Sequence, residues 1–419
     1  MMGRWQPLRG LWRINQRMEQ WRAMRAIKEA LRVAYPFILV MTLVDVVGQS
    51  FLASSGFFYQ IYHIGSWLPG IDLWQQFFQA ISLVISGVTA VIVAFTVGHY
   101  LARTYRGDAL AVGVMSALAF LALNVNYDML GMPNSESDGM SLFVENNLGP
   151  QGIFLAIVVG LAVGWLGSHL MASLTNWQQR HPRFGQMSWA SRVAWPTIFV
   201  LIITVALGYG FSWFTDGGMN DLVYQALSAT VANPGHRGFV ILGVTTLSNV
   251  LWWLGFIGPI SLAGNSSVTS LQNLAYAVQH GSGWGAGMTL ALLLAIGLVS
   301  KQASYRRVAS QTFLPNLVNL NEPTLLGLPV LYNPILLIPF LVAPAVNIVL
   351  AWFAITWKLV PPIVYPVPRT TPGPLIAFLG TGGDWRALLL SLVCLTISVL
   401  IYVPFVRLLN HEGGEDHAA

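Results

Sequence analysis

Along this chain, runs of apolar residues alternate with short polar clusters, and nine of the runs approach or reach the length of a bilayer-crossing helix. A crossing takes about 20 mostly apolar residues, because the hydrocarbon core is about 30 Å thick and an α-helix rises about 1.5 Å per residue. The predicted spans are Val33 to Leu52, Phe78 to Leu101, Ala109 to Leu123, Ile153 to Ala172, Val193 to Phe214, Phe239 to Pro259, Met288 to Ser300, Pro334 to Trp357 and Leu388 to Val406. Two further segments, Ser267 to His280 and Phe313 to Leu331, are amphipathic or broken by Gly, Pro and Asn, and they predict re-entrant pieces instead of plain spans. Irregular backbone at membrane depth survives only where protein or a wet cavity satisfies its polar groups, so such pieces mark transport sites. The fold expected is all-α: a polytopic membrane protein of about 10 transmembrane helices with re-entrant hairpins.

Composition sharpens the class. Of 419 residues, 55% are hydrophobic and 9% charged, against about 25% charged in an ordinary soluble domain. A water-soluble surface of this size cannot be built from them. The single Cys394 lies in a late apolar run, which excludes an intrachain disulfide framework and a cysteine-based metal site. No metal or cofactor is expected, because the eight histidines are scattered and no glycine-rich phosphate loop ends in Lys followed by Ser or Thr. The first apolar run follows a long basic stretch and has no small-residue cleavage site, so no cleavable signal is expected.

Charge orients the spans. Eight of the 21 Lys and Arg residues fall in the first 32 positions (Arg4, Arg9, Arg13, Arg17, Arg22, Arg25, Lys28, Arg32), which by the positive-inside rule puts the N-terminus in the cytoplasm. Residues 1–32 read as an interfacial amphipathic helix held to anionic headgroups, with Trp5, Trp12 and Trp21 as interface anchors. A bilayer already accounts for the net charge of +5, so nucleic acid is not expected as a partner. Arg103 and Arg106, then Arg180, Arg183 and Arg192, mark further cytoplasmic turns, while residues 124–150 and 215–236 carry acids without Lys or Arg and read as external. Lys301, Arg306 and Arg307 then fall on the wrong side by simple counting, and an extra crossing between Pro259 and Trp284 restores the parity.

Glu322 is the only acidic residue between Asp221 and Asp384. A carboxyl in so apolar a stretch costs several kcal/mol unless partners compensate it, and ionisable residues inside membranes mark function by default. The surrounding "NLNEPTLLGLPVLYNPILLIPFLVAP" resembles the Asn-x-Asn-Glu-Pro signature of the membrane-spanning IIC components of the sugar phosphotransferase system, in the lactose/cellobiose (diacetylchitobiose) family. "LGPQGIF" (Leu148 to Phe154), "GAGMTL" (Gly285 to Leu290) and "TTPGPLIAFLGTGGDWRALLL" with "IYVPF" are similar to further family segments in the same order, so the resemblance runs from about residue 25 to about residue 408.

The resemblance implies a homodimeric permease that takes a β-linked disaccharide such as cellobiose or diacetylchitobiose from outside by alternating access. It then exposes the sugar to a cytoplasmic IIB protein whose phosphocysteine phosphorylates it, with IIA upstream as a separate chain. It divides the chain into residues 1–32 at the interface, 33–235 as the dimerising half, 236–408 as the substrate-holding half and 409–419 as a cytoplasmic tail. Cys394, inside an apolar run, cannot be the phosphorylated cysteine. Glu322 is expected to hold or deprotonate the accepting hydroxyl, with the amides of Asn319 and Asn321 beside it as donors and acceptors. Pro323 restricts Glu322 to extended backbone, which suits a hairpin turn.

Where the family usually has Trp-Trp-Phe-Gly-Ile-His-Gly, this chain reads "WWLGFIG", with Ile257 in the place of the sugar-binding His. Where the family commonly has Pro-Trp-Thr-Thr-Pro, Arg369 replaces the Trp. A guanidinium there can clamp an acidic or phosphorylated sugar, or snorkel to a headgroup, or pair with Asp384. Adjacent helix positions point about 100° apart, so only one of Trp252 and Trp253 can stack on a sugar, and Trp252 is the candidate. Asn265 and Ser266, in "AGNSSVTS", have the hydrogen-bonding inventory for hydroxyls. Asp45 in the first span lines a cavity, or couples to protons, or makes an interhelical bond to an amide such as Gln49. A proton-driven sugar transporter, and a non-transporting sensor that keeps the fold, remain the alternatives.

Overall fold

The computed structural model describes residues 9–127, 142–181, 188–213, 238–257 and 286–410. Every regular element among them is helical, and the one β-type pairing there is an isolated bridge between Val125 and Phe143. The chain enters through α1 (Arg9–Glu19), turns at Gln20 and Trp21, and continues into α2 (Arg22–Val47). Lys28 reaches back across that turn to pair with Glu19. Trp21 lies exposed as an interface anchor would, whereas Trp12 packs against the apolar core; Trp5 lies outside the described residues. At 26 residues, α2 is about 39 Å long. It begins earlier than the predicted span because the basic stretch and the apolar run share one uninterrupted helical register.

A π-helical turn, Gly48–Leu52, ends α2. Then come two short helices, α3 (Phe57–Tyr62) and α4 (Ile64–Trp67), and the 34-residue α5 (Ile71–Thr104). The Asp108 carboxylate caps α6 (Ala109–Leu123) by accepting from the Ala111 amide at 3.1 Å. Next are α7 (Glu145–Leu148), a 3₁₀ turn at Pro150–Gly152, α8 (Ile153–Arg180), α9 (Trp189–Ser212) and α10 (Gly238–Trp253). The last part holds α11 (Thr289–Val299), α12 (Ala303–Leu317), α13 (Glu322–Gly327), α14 (Pro334–Thr356), α15 (Gly373–Gly380) and α16 (Trp385–Leu409).

Six described segments are long and apolar enough to cross a membrane: those built on α2, α5, α8, α9, α14 and α16. The apolar α6 and α11 are shorter, so the expected count of about ten is not reached among the described residues. Predicted spans and observed helices otherwise coincide closely, down to the identical bounds of α6.

In the first bundle α5 packs on α2, α6 and α8, and close approach depends on small residues. Gly160 and Gly164 of α8, four apart, face α5: a Cβ on Gly160 would stand 2.8 Å from Val97 Cβ, and one on Gly164 3.1 Å from a Leu101 methyl. Without a hydrophobic drive between helices in lipid, such surfaces hold by contact between closely approaching backbones. The second bundle packs α16 on α11, α14 and α15, and α10 on α14. One continuous apolar core runs through both bundles, and α13 lies directly on α2.

The basic ends gather. The Asn410 side chain accepts from the Lys301 amide at 2.8 Å, and Gln302 donates to the Leu409 carbonyl, so the start of α12 and the Arg407 end of α16 share one side. Thus Lys301 joins Arg407 and not an isolated opposite face. The extra crossing expected between Pro259 and Trp284 lies outside the described residues.

Candidate functional site

The segment Phe313 to Leu331 is the broken hairpin its sequence predicts. Pro315 sits in the last turn of α12, and Asn319 turns the chain with φ +66°, a left-handed conformation that Asn tolerates better than most residues. Glu322 is the first residue of α13, with Asn321 at the N-cap and Pro323 in the first turn. The expectation of extended backbone at Glu322 is therefore corrected: Pro lacks only an N–H that a helix's first turn leaves unpaired anyway, so the helix can start there.

The two flanking amides act differently from each other. Asn319 donates through Nδ2 to the carbonyls of Arg369 and Thr371, both at 2.9 Å, and its Oδ1 is buried without a hydrogen-bond partner. Asn321 is consumed on both sides: Oδ1 accepts from the Thr289 hydroxyl at 2.7 Å and Nδ2 donates to the Asn319 carbonyl at 3.1 Å. Asn321 therefore braces the hairpin. Glu322 is half-buried, and its Oε2 is buried without a hydrogen-bond partner. The helix that Glu322 starts, α13, packs on α2, the helix that carries Asp45. Thr371, fully buried, likewise has an unpartnered hydroxyl, while Thr370 accepts from the Phe57 amide at 3.0 Å. Buried polar groups without partners are uncommon, and the hairpin and the loop it holds carry four: Asn316 Oδ1, Asn319 Oδ1, Glu322 Oε2 and Thr371 Oγ1.

The other predicted residues fall apart from this cluster or on its rim. The Arg369 side chain is exposed and its carbonyl, not its guanidinium, contacts Asn319. It makes no pair with Asp384, whose carboxylate instead caps α16 by accepting from the Arg386 amide at 2.8 Å. Trp253 is held by packing, with its indole N–H donating to the Asn333 carbonyl at 3.0 Å and its ring tilted against Tyr332. Trp252, half-buried in the last turn of α10, is the freer of the two. Ile257, 1% exposed, belongs to the apolar core. Asn265 and Ser266 lie outside the described residues. Cys394 is fully buried in α16.

A cavity of about 810 Å³ opens between the end of α2, the first half of α5 and the turn preceding α8. Asp45 lines it, as one of its expected roles had it, while the residues expected to contact the sugar that lie among the described residues are not in its wall. Gln75, Gln79, Ser82 and Ser86 of α5 line it at intervals of four, three and four, one face of a helix. Asp45 and Gln49 oppose them, and Gln151 of "LGPQGIF" closes one side. The Ser82 hydroxyl donates to Asp45 Oδ1 at 2.6 Å, and Gln75 donates to the Leu52 carbonyl at 2.7 Å, tying α5 to the π-turn. The interhelical partner of Asp45 is thus the Ser82 hydroxyl. The polar period in residues 75–86 was the signal for this wall, masked because the predicted span starts only at Phe78.

A polytopic helical bundle with a carboxylate-bearing hairpin broken inside it belongs to the transporter class. Residues 28–344 match the family "Phosphotransferase system, EIIC", and the chain belongs to that family. Among its relatives, the cellobiose-specific EIIC component of Lactococcus lactis subsp. lactis (strain IL1403) is 29% identical over 398 residues, covering 77% of this chain and 78% of the relative. The oligo-beta-mannoside-specific EIIC component of Bacillus subtilis (strain 168) is 23% identical, over 95% of this chain and 92% of its own. Among solved structures, the transporter ChbC, the IIC component from the N,N'-diacetylchitobiose-specific phosphotransferase system, aligns over 98% of this chain and 99% of its own with 21% identity and a TM-score of 0.45.

Proposed function

We propose that this chain is the sugar permease of a phosphoenolpyruvate-dependent phosphotransferase system, moving a β-linked disaccharide of the cellobiose type across the plasma membrane. The observation that carries the reading is the hairpin of an EIIC-family chain in which Glu322 Oε2, Asn319 Oδ1 and Thr371 Oγ1 stand without partners. A carboxylate accepts from hydroxyls with charge-assisted strength, and the amide and threonine oxygens beside it take more of a pyranose's hydroxyl set. In the transfer step the S–P bond of a IIB phosphocysteine breaks and an O–P bond to the sugar forms. Glu322 orients the attacking hydroxyl and takes up its proton.

Trp252 and, in the segment outside the described residues, Asn265 and Ser266 complete the candidate contact set; Arg369 flanks it. The basic ends sharing one side support a cytoplasmic N-terminus, with α6, α10 and α11 as further crossings. The substrate-holding half, residues 236–408, moves against residues 33–235, which carry the contact between two copies. The packing of the Asp45 helix, α2, on the Glu322 helix, α13, favours, as a second reading, coupling to protons.

Uptake of labelled cellobiose and lactose by cells with and without the phosphate-transfer chain tests both. Accumulation of phosphorylated sugar only when that chain is present is the expected result. Accumulation of free sugar that follows the pH gradient would establish the second reading, and no uptake of any β-linked disaccharide would overturn both.

A further inference from the structure

Polar side chains on four positions of one helix face are expensive inside a bilayer unless water or a ligand meets them. The first half of α5 has such a face, and across from it Asp45 holds a carboxylate. We propose that this cavity is a second carbohydrate site, an outer vestibule that receives the sugar before it reaches the Glu322 hairpin. The inference rests on the transport reading and adds a site to it.

Four observations carry it. The volume, about 810 Å³, falls within the roughly 300–1,000 Å³ of small-molecule sites. The wall offers amides from Gln49, Gln75 and Gln79, hydroxyls from Ser82 and Ser86, and one carboxylate, so a bound ring meets both donors and acceptors even though Gln75 and Ser82 each already donate one bond within the protein. Phe78 and Phe143 line the same space and supply flat apolar surfaces for the C–H faces of a pyranose. The wall also contains Gly48 and Gln49 of the π-helical turn, an irregularity that recurs at functional sites. The Asp45 carboxylate, bonded by Ser82, keeps lone pairs for a guest. With the N-terminus in the cytoplasm, α2 runs outward and the cavity at its far end faces the external medium.

The test uses the chain's one native cysteine, Cys394, whose full burial leaves a silent background. Gln79→Cys and, separately, Ser86→Cys are reacted with a membrane-impermeant thiol reagent in intact cells, with cellobiose as the probe and betaine as the osmotic control. Both cysteines are expected to react from outside. Cellobiose at ten times its half-saturating concentration should slow them about tenfold, by simple occupancy. The same protection should persist in a Glu322→Gln background, where transport is lost. Wild-type uptake of cellobiose without protection at either cysteine would overturn the vestibule and leave the transport reading standing. Protection that disappears with Glu322→Gln would overturn it as well, since the cavity would then have no affinity of its own. Absence of reaction, with oxidative cross-linking of two copies through Gln79→Cys, would reassign the cavity to a subunit interface. Loss of wild-type uptake would instead sink the transport reading. Asp45→Asn provides a second readout: KM for uptake rises about tenfold with maximal rate little changed, the loss expected for one charged hydrogen bond.

Discussion

Glu322 and Asn321 stand next to each other and carry opposite predictions. Glu322 has a buried oxygen with no hydrogen-bond partner, and under the proposed function that oxygen receives a sugar hydroxyl. Glu322→Gln keeps the shape and removes the charge and the proton-accepting capacity. It is expected to lower sugar phosphorylation by about 10²-fold or more, in the range of lost general-base assistance, while the purified protein elutes and melts as the wild type does. Unchanged phosphorylation by that variant would remove Glu322 from the site. Asn321 already has both ends of its amide occupied, by the Thr289 hydroxyl and the Asn319 carbonyl. Asn321→Ala strands those groups in a buried setting and is expected to cost about 1–3 kcal/mol, read as a lowered Tm. The signature Asn-x-Asn-Glu-Pro drew attention to this hairpin, and identity alone could not separate the amide with both ends occupied from the carboxylate with an unpartnered oxygen. That separation depends on Thr289, 32 positions away in sequence.

At the scale of elements, helix positions were legible because apolar runs long enough to cross a bilayer have no competing reading. The hairpin was legible too, from Pro315, Asn319 and Pro323 placed inside an otherwise apolar stretch. What the pattern obscured was the start of α5: polar Gln75 and Gln76 ended the predicted span at Phe78, although they sit on a helix that begins at Ile71. A polar face counts as an interruption in a hydropathy window and as a lining in a folded bundle. The packing of α8 on α5 gives the sharpest element-level prediction. A Cβ at Gly160 would stand 2.8 Å from Val97 Cβ and 2.9 Å from the Ala94 carbonyl, both on a helix with no room to shift. Gly160→Val is therefore expected to destabilise by about 1–3 kcal/mol through overpacking, measured as a lower unfolding midpoint in detergent, whereas Gly210→Val, where a Cβ meets nothing within 4 Å, is expected to be tolerated.

For the whole molecule, the placement of basic ends predicts its orientation in the membrane. With Lys301 and Arg407 on one side and the positive N-terminus assigned to the cytoplasm, Arg306→Cys is expected to react with an impermeant thiol reagent only after cells are opened. Labelling in sealed cells would reverse the orientation. Between the two bundles, α13 lies on α2, so the helix carrying Glu322 meets the helix carrying Asp45. Relative movement of the halves would change that relation. By itself the sequence determined that this is an all-helical membrane protein, roughly where its helices run, which end is basic and which lone acid merits attention. Those conclusions follow from local composition and from the cost of putting polar groups in lipid. Only the tertiary structure decided that Asp45 meets Ser82 across helices, that Trp253 and Asn321 are tied off, that Arg369 contributes a carbonyl and not its charge, and that a polar cavity opens beside α5. Each of these depends on residues far apart in the chain, and no local pattern encodes which of them come into contact.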